Sequence, residues 1–140
     1  MKILSPKLLL SQGIDVHCLF DLEDIEKATI IYNEFLKYLS DCNVTSEHAR
    51  IFERPVGPWP TPMWQLVIRP NKTFEKFEEK IGKVILWLML NRDQFSVMIH
   101  PNTSKNKIDE FEFGGDLLDH TQYVLWLGKQ HSLKIDIFKE

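Results

Sequence analysis

The chain predicts an α+β fold: a ferredoxin-like βαββαβ antiparallel sheet with helices on one face, plus a C-terminal helix and strand. Three observations predict it. Short apolar runs with alternating character are separated by two long stretches of helical periodicity. The first six elements come in the order of a split βαβ unit. Proline and glycine clusters fall between elements rather than inside them. A length of 140 residues suits one domain, 1–140, with one core.

Residues 14–20 read as the first strand. Alternation puts Asp15, His17 and Leu19 on one face and Val16, Cys18 and Phe20 on the other. Asp21 suits an N-cap, with Glu23 and Asp24 in the first turn. Leu22, Ile25, Ala28, Tyr32, Phe35, Leu36 and Leu39 then recur at helical spacing, so a helix is expected over about 22–41. Residues 47–54 suit a second strand. The Pro-rich stretch 55–62 breaks regular structure, and Met63 to Ile68 form a third strand stopped by Pro70. Thr73 is the expected cap of a second helix that turns Phe74, Phe77, Ile81, Val84 and Leu88 inward. Its end is so apolar that both sides are expected to be covered. Phe95 to Ile99 form a fourth strand. A loop is expected over 102–115, then a short helix over 116–127 ended by Gly128. Leu133, Ile135 and Ile137 alternate as in a last strand. In this topology the first strand is central, between the third and fourth.

Composition narrows the function classes. Hydrophobic residues make up 44%, and four Trp with nine Phe can bury a core that needs no disulfide or structural metal. The net charge of −3 and a pI of about 6.0, with no basic cluster, argue against nucleic acid and anionic membrane as partners. Cys18 and Cys42 lack C-x-x-C spacing and read as free thiols in a reducing compartment, so a cytoplasmic location is expected. The apolar N-terminal stretch is short and broken by Pro6 and Lys7, unlike a signal peptide. The longest apolar run, Val84 to Leu90, cannot span a bilayer.

Histidine carries the chemistry that the residues allow, being the commonest metal ligand and the usual acid or base near neutral pH. Asp15 and His17 share a strand face, and His100 ends the adjacent fourth strand. Two imidazoles and a carboxylate with open positions form the usual ligand set of non-haem iron(II). A D-x-H pair on a strand is also what a histidine bonded to a carbonyl produces. Trp59 stands in a rigid Gly57-Pro58-Trp59-Pro60 loop, where it either stacks on an aromatic ligand or clamps the core. Asp119 either caps a helix or reaches Arg92 or Arg69. His120 is either a proton shuttle at a site edge or a surface residue. His48 and His131 have no motif context and are expected in solvent. Arg54, Arg69 and Arg92 can each clasp a substrate carboxylate or form structural ion pairs.

Six pieces in order, His17-Cys18-Leu19-Phe20, Pro55-Val56-Gly57-Pro58-Trp59-Pro60, Trp87-Leu88-Met89-Leu90-Asn91-Arg92, His100-Pro101, Asp119-His120 and Trp126-Leu127-Gly128, are similar to those of the DOPA 4,5-dioxygenase family. The resemblance runs from about residue 14 to 138. It implies an iron(II)-dependent extradiol dioxygenase that opens a catechol-type ring, with a small aromatic substrate; a homodimer is expected separately, because an open apolar sheet face needs cover. On the resemblance, Asp15, His17 and His100 hold the metal, His120 moves protons, and Trp59 and Arg92 bind substrate. The sequence departs from the family pattern twice: Asp15 stands where members carry the first histidine of H-x-H, and Trp59 replaces the histidine of G-P-H-P. The alternative is a diverged member without metal chemistry, binding a small planar ligand in a pocket lined by Trp59, Trp64 and Phe95 or acting through dimer contacts on the open sheet face.

Overall fold

A computed structural model describes residues 3–6, 13–70, 74–103, 107–108, 111–112 and 115–138. The elements are β1 (Ile14–Leu19), a 3-10 turn (Leu22–Asp24), α1 (Ile25–Asp41), β2 (Ser46–Phe52), β3 (Met63–Ile68), α2 (Phe74–Asn91) and β4 (Ser96–Pro101). There follow β5 (Lys107–Ile108), β6 (Phe111–Glu112), α3 (Gly115–Asp119), β7 (Leu125–Leu127) and a 3-10 turn (Ile135–Phe138). The main sheet runs β2-β3-β1-β4-β7, with β1 central and antiparallel to both β3 and β4. This is the ferredoxin-like α+β arrangement expected, with one strand added at the edge.

Alternation along β1 sorts its side chains between two cores. Ile14, Val16 and Cys18, with Phe20 just beyond, face the helices and pack with Ala28, Phe35 and Leu39 of α1 and Phe77, Val84 and Leu88 of α2. Leu19, Met63 and Met98 face the other way and are covered by Trp59, Val56, Val124, Trp126 and Leu133. The proline loop and the C-terminal segment thus lie over the helix-free face, which is not the open surface that the sequence led one to expect. Gly13 opens β1 in a left-handed conformation (φ 79°), where a Cβ would lie 2.3 Å from the Ile68 carbonyl oxygen. The residue leading into the strand therefore carries no side chain.

Several expectations are corrected. Residues 120–127 are not helical: α3 is short, and Leu125 and Leu127 pair with Ile99 and Val97, which gives the β4 edge backbone partners. Gly128 (φ 84°) turns the chain after a strand rather than a helix. The alternating Leu133, Ile135 and Ile137 do not form a strand, because β7 already occupies that sheet edge; the chain there closes in a 3-10 turn. The end of α2 is covered on one side only, leaving Leu86, Met89 and Leu90 exposed. The expected loop 102–115 contains the β5–β6 pair. The Thr73 cap lies outside the described residues, as does the Phe74 side chain. Asp21 precedes the first turn, but its side chain makes no capping hydrogen bond there. No helix among the described residues is long and apolar enough to cross a membrane.

Candidate metal centre

Strand register assembles the site. Asp15 lies opposite His100 across the β1–β4 ladder, and His17 lies two residues along on the same face. His17 and His100 are buried, at 3% and 2% exposure, while the Asp15 side chain retains 21%. His17 Nε2 is 3.1 Å from His100 Nε2. Asp15 Oδ2 is 3.7 Å from His17 Nε2 and 3.6 Å from His100 Nε2. Ligand atoms about 2.0–2.2 Å from one divalent ion, at angles between octahedral and tetrahedral, are about 2.9–3.6 Å apart. Two of the three separations fall in this range and the third, 3.7 Å, lies just beyond it, so a small shift of Asp15 would let the three atoms hold a single first-row ion, with the chemistry of a two-histidine, one-carboxylate set.

The surroundings fix the ligands from behind. His100 Nδ1 donates to the Pro101 carbonyl oxygen at 2.8 Å, so its Nε2 carries a lone pair toward the site. Asn102 Nδ2 donates to Asp15 Oδ1 at 2.6 Å, which turns Oδ2 to the imidazoles. Thr103, the next residue, donates through its amide at 2.9 Å and through its hydroxyl to the buried Asp119 carboxylate. That clasp ties the end of β4 to α3 and sets His120 beside His100. Among the described residues, His17 Nδ1 is buried without a hydrogen-bond partner.

Charge states follow from burial. Burial pushes His17 below the usual imidazole range, with Asp15 pulling the other way and the charge of His120 adding to the depression. Burial, with the charges of His17 and His120, brings His100 down to about 3. Burial also works to raise the Asp15 carboxyl, but the His17 hydrogen bond, the charges of His100 and His17, and the Asn102 hydrogen bond outweigh it, so it sits below its ordinary value. At neutral pH the cluster holds one carboxylate and two neutral imidazoles, the protonation state that a divalent cation needs.

The other expected site residues divide. Trp59 belongs to the site but is 3% exposed, its ring 4.0 Å from that of His17, so it acts as a wall. His120, half-buried, lies tilted against His100 at 4.1 Å and is backed by Phe138 at 4.5 Å. Arg92 is not brought to the site. It directly follows α2, near enough to Cys18 to act on its thiol, and packs against Gly128. Trp64 and Phe95 also lie in the helix-side core, so no pocket joins them to Trp59. Arg69 is tied to Glu47 at 2.9 Å, and Arg54 is exposed. His48 is exposed, as expected, whereas His131 bonds Ser96 at 3.2 Å and stacks on Trp126. Sequence reasoning missed Asn102, although an amide side chain directly after His100-Pro101 was the available signal.

The fold and this cluster define a small ferredoxin-like α+β protein with a candidate metal site on the sheet face away from its helices. The chain belongs to the Dopa 4,5-dioxygenase family, whose pattern matches residues 14–137. A Nostoc punctiforme protein described as a candidate dioxygenase has a crystal structure similar to this one, with a TM-score of 0.64 at 27% identity over 95% of each chain. An uncharacterized 21.2 kDa protein of Botryotinia fuckeliana is 35% identical over 94 residues, 64% of this chain. The match spans 44% of that relative, less than half its length.

Proposed function

We propose that the protein is a metal-dependent extradiol dioxygenase of catechol-type rings, with iron(II) held by Asp15, His17 and His100. The observation that carries this reading is the convergence of His17 Nε2, His100 Nε2 and Asp15 Oδ2 within 3.1–3.7 Å of one another in a member of this family. Three ligands leave positions for other donors. Bound there, iron(II) supplies the electron transfer between an electron-rich ring and dioxygen that ring opening requires.

The chain's own groups bind, orient and move protons. The Pro101 carbonyl and Asn102 hold the His100 ring and the Asp15 carboxylate in the converging geometry. The Trp59 indole lies over His17 and keeps water from that side. His120, packed against His100, is placed to take a hydroxyl proton from the incoming catechol and to return one to the opened product. The deciding experiment is oxygen uptake by protein loaded anaerobically with iron(II) and given a catechol. Uptake in the wild type, lost in His17→Ala, supports the reading.

One observation favours a second reading. Trp59 covers His17 where the resemblance leads one to expect a histidine, which fits a diverged member that binds a planar ligand without turnover. Catechol binding without oxygen uptake in the metal-loaded protein would establish that reading instead.

A further inference from the structure

The helix-free sheet face continues beyond the ligands toward β2. Gln65 lies opposite His17 across the β1–β3 ladder, and Arg50 lies opposite Gln65 across β2–β3. Arg50, Gln65 and His17 thus form one row on one face. The packing of the neighbours confirms this placement: Ile51 joins the helix-side core, whereas Phe52 joins the cluster on the site face. The arginine reaches the row through an irregularity. Glu47 pairs with Val67 in one register and Arg50 pairs with Gln65 in another, with one extra residue between them. Regular pairing would set Ala49 opposite Gln65. The bulge contains His48 at φ 55°, an uncommon conformation for a residue with a side chain. Bulges next to active sites re-aim side chains, and this one brings a cation into line with the donor cluster.

Arg50 is exposed and lies over the Phe52 ring at 4.6 Å; among the described residues it has no carboxylate partner. Arg69 on the same rim is neutralised by Glu47. Toward this side the site is least covered, since Asp15, Gln65 and Val67 are half-buried while Trp59 and the His120–Phe138 stack close other sides. Arg50 stands two strands from His17, roughly 10 Å. A single aromatic ring with a short tail spans such a gap.

We propose that Arg50, brought onto the site face by the β2 bulge, is the residue that binds an anionic tail on the substrate. The inference rests on the proposed metal-centred reading and names the residue that sets its specificity. A guanidinium pairs with a carboxylate through two parallel hydrogen bonds, and Gln65, between Arg50 and His17, offers an amide along the way.

The test compares 3-(3,4-dihydroxyphenyl)propionate with 4-propylcatechol, which lacks the carboxylate, by anaerobic equilibrium binding to the iron(II)-loaded wild type, Arg50→Gln and Arg50→Lys. The wild type is expected to bind the carboxylate ligand at least about tenfold more tightly. Arg50→Gln should abolish that preference and leave 4-propylcatechol unchanged, while Arg50→Lys should keep part of it. Equal binding of the two ligands by the wild type, or an undiminished preference in Arg50→Gln, overturns the Arg50 assignment and leaves the metal-centred reading intact. No binding of either ligand to loaded wild type overturns both.

Discussion

His17 and His100 meet Nε2 to Nε2 at 3.1 Å across adjacent strands, both rings buried and nearly parallel at 13°. His100 gives its Nδ1 proton to Pro101, so the space between the rings holds one proton at most while both are neutral. A divalent cation with Asp15 beside it uses both lone pairs. Replacing His100 with Ala should therefore abolish tight iron(II) or cobalt(II) binding while the far-ultraviolet circular dichroism stays folded. Metal analysis after gel filtration checks this.

Asn102 touches Asp15 and has no place in the ligand set. Asn102→Ala should weaken metal affinity by about 10–100-fold, the usual effect of losing a partner that orients a ligand. Competition with a chromophoric chelator measures it. The loss should exceed that of Asn91→Ala, whose side chain bonds only the Trp87 carbonyl on α2.

The Asp119 clasp should matter to stability as well as to the site. Asp119→Ala strands the amide and hydroxyl of Thr103 in a buried position, a cost of about 1–3 kcal/mol. Urea denaturation reads the cost. The same variant should weaken metal binding, because Thr103 follows Asn102 and the clasp holds both strand end and α3.

Trp59 is a wall rather than a mobile stacking platform. Trp59→Ala should cost about 3–5 kcal/mol, as for other large buried aromatics, and Trp59→Phe should recover most of it. A thermal melt distinguishes these outcomes from the near-neutral effect that an exposed ligand-stacking residue would give.

Acid should destabilise the metal-free protein. In the unfolded chain His17 and His100 take protons near 6.5, whereas in the fold burial lowers both, His100 to about 3. The unfolded state thus binds more protons below pH 6.5. Stability should be full above that pH and fall toward pH 3 by about 1.4 kcal/mol per unit for His100, with His17 adding to the loss in the same direction. The depressed Asp15 acts in the same direction, its contribution being lost as pH falls below its ordinary value of 3.8. Urea midpoints at pH 7 and pH 5 check the slope, and His100→Ala should flatten it.

The donor set was legible because period-two alternation is local: Asp15 and His17 must share a face, and a central first strand places His100 beside them. Features set by tertiary pairing were not legible. Leu125 to Leu127 carry no mark of the free β4 edge that makes them a strand. Arg92 and the helix-side Trp64 look like site residues until the two faces are separated. Arg50 was hidden by the bulge, since a regular strand would put Ala49 in its place. Trp59 could be placed in a rigid loop, but its burial against His17 depends on how that loop folds over the sheet.

The central claim is that Asp15, His17 and His100 form one metal centre. The most direct measurement is an anaerobic iron(II) titration of the purified chain, followed by metal analysis, with His17→Ala in parallel. One equivalent retained by the wild type and none by His17→Ala is the predicted result. No retained metal in the wild type, or equal retention in the variant, would contradict the claim.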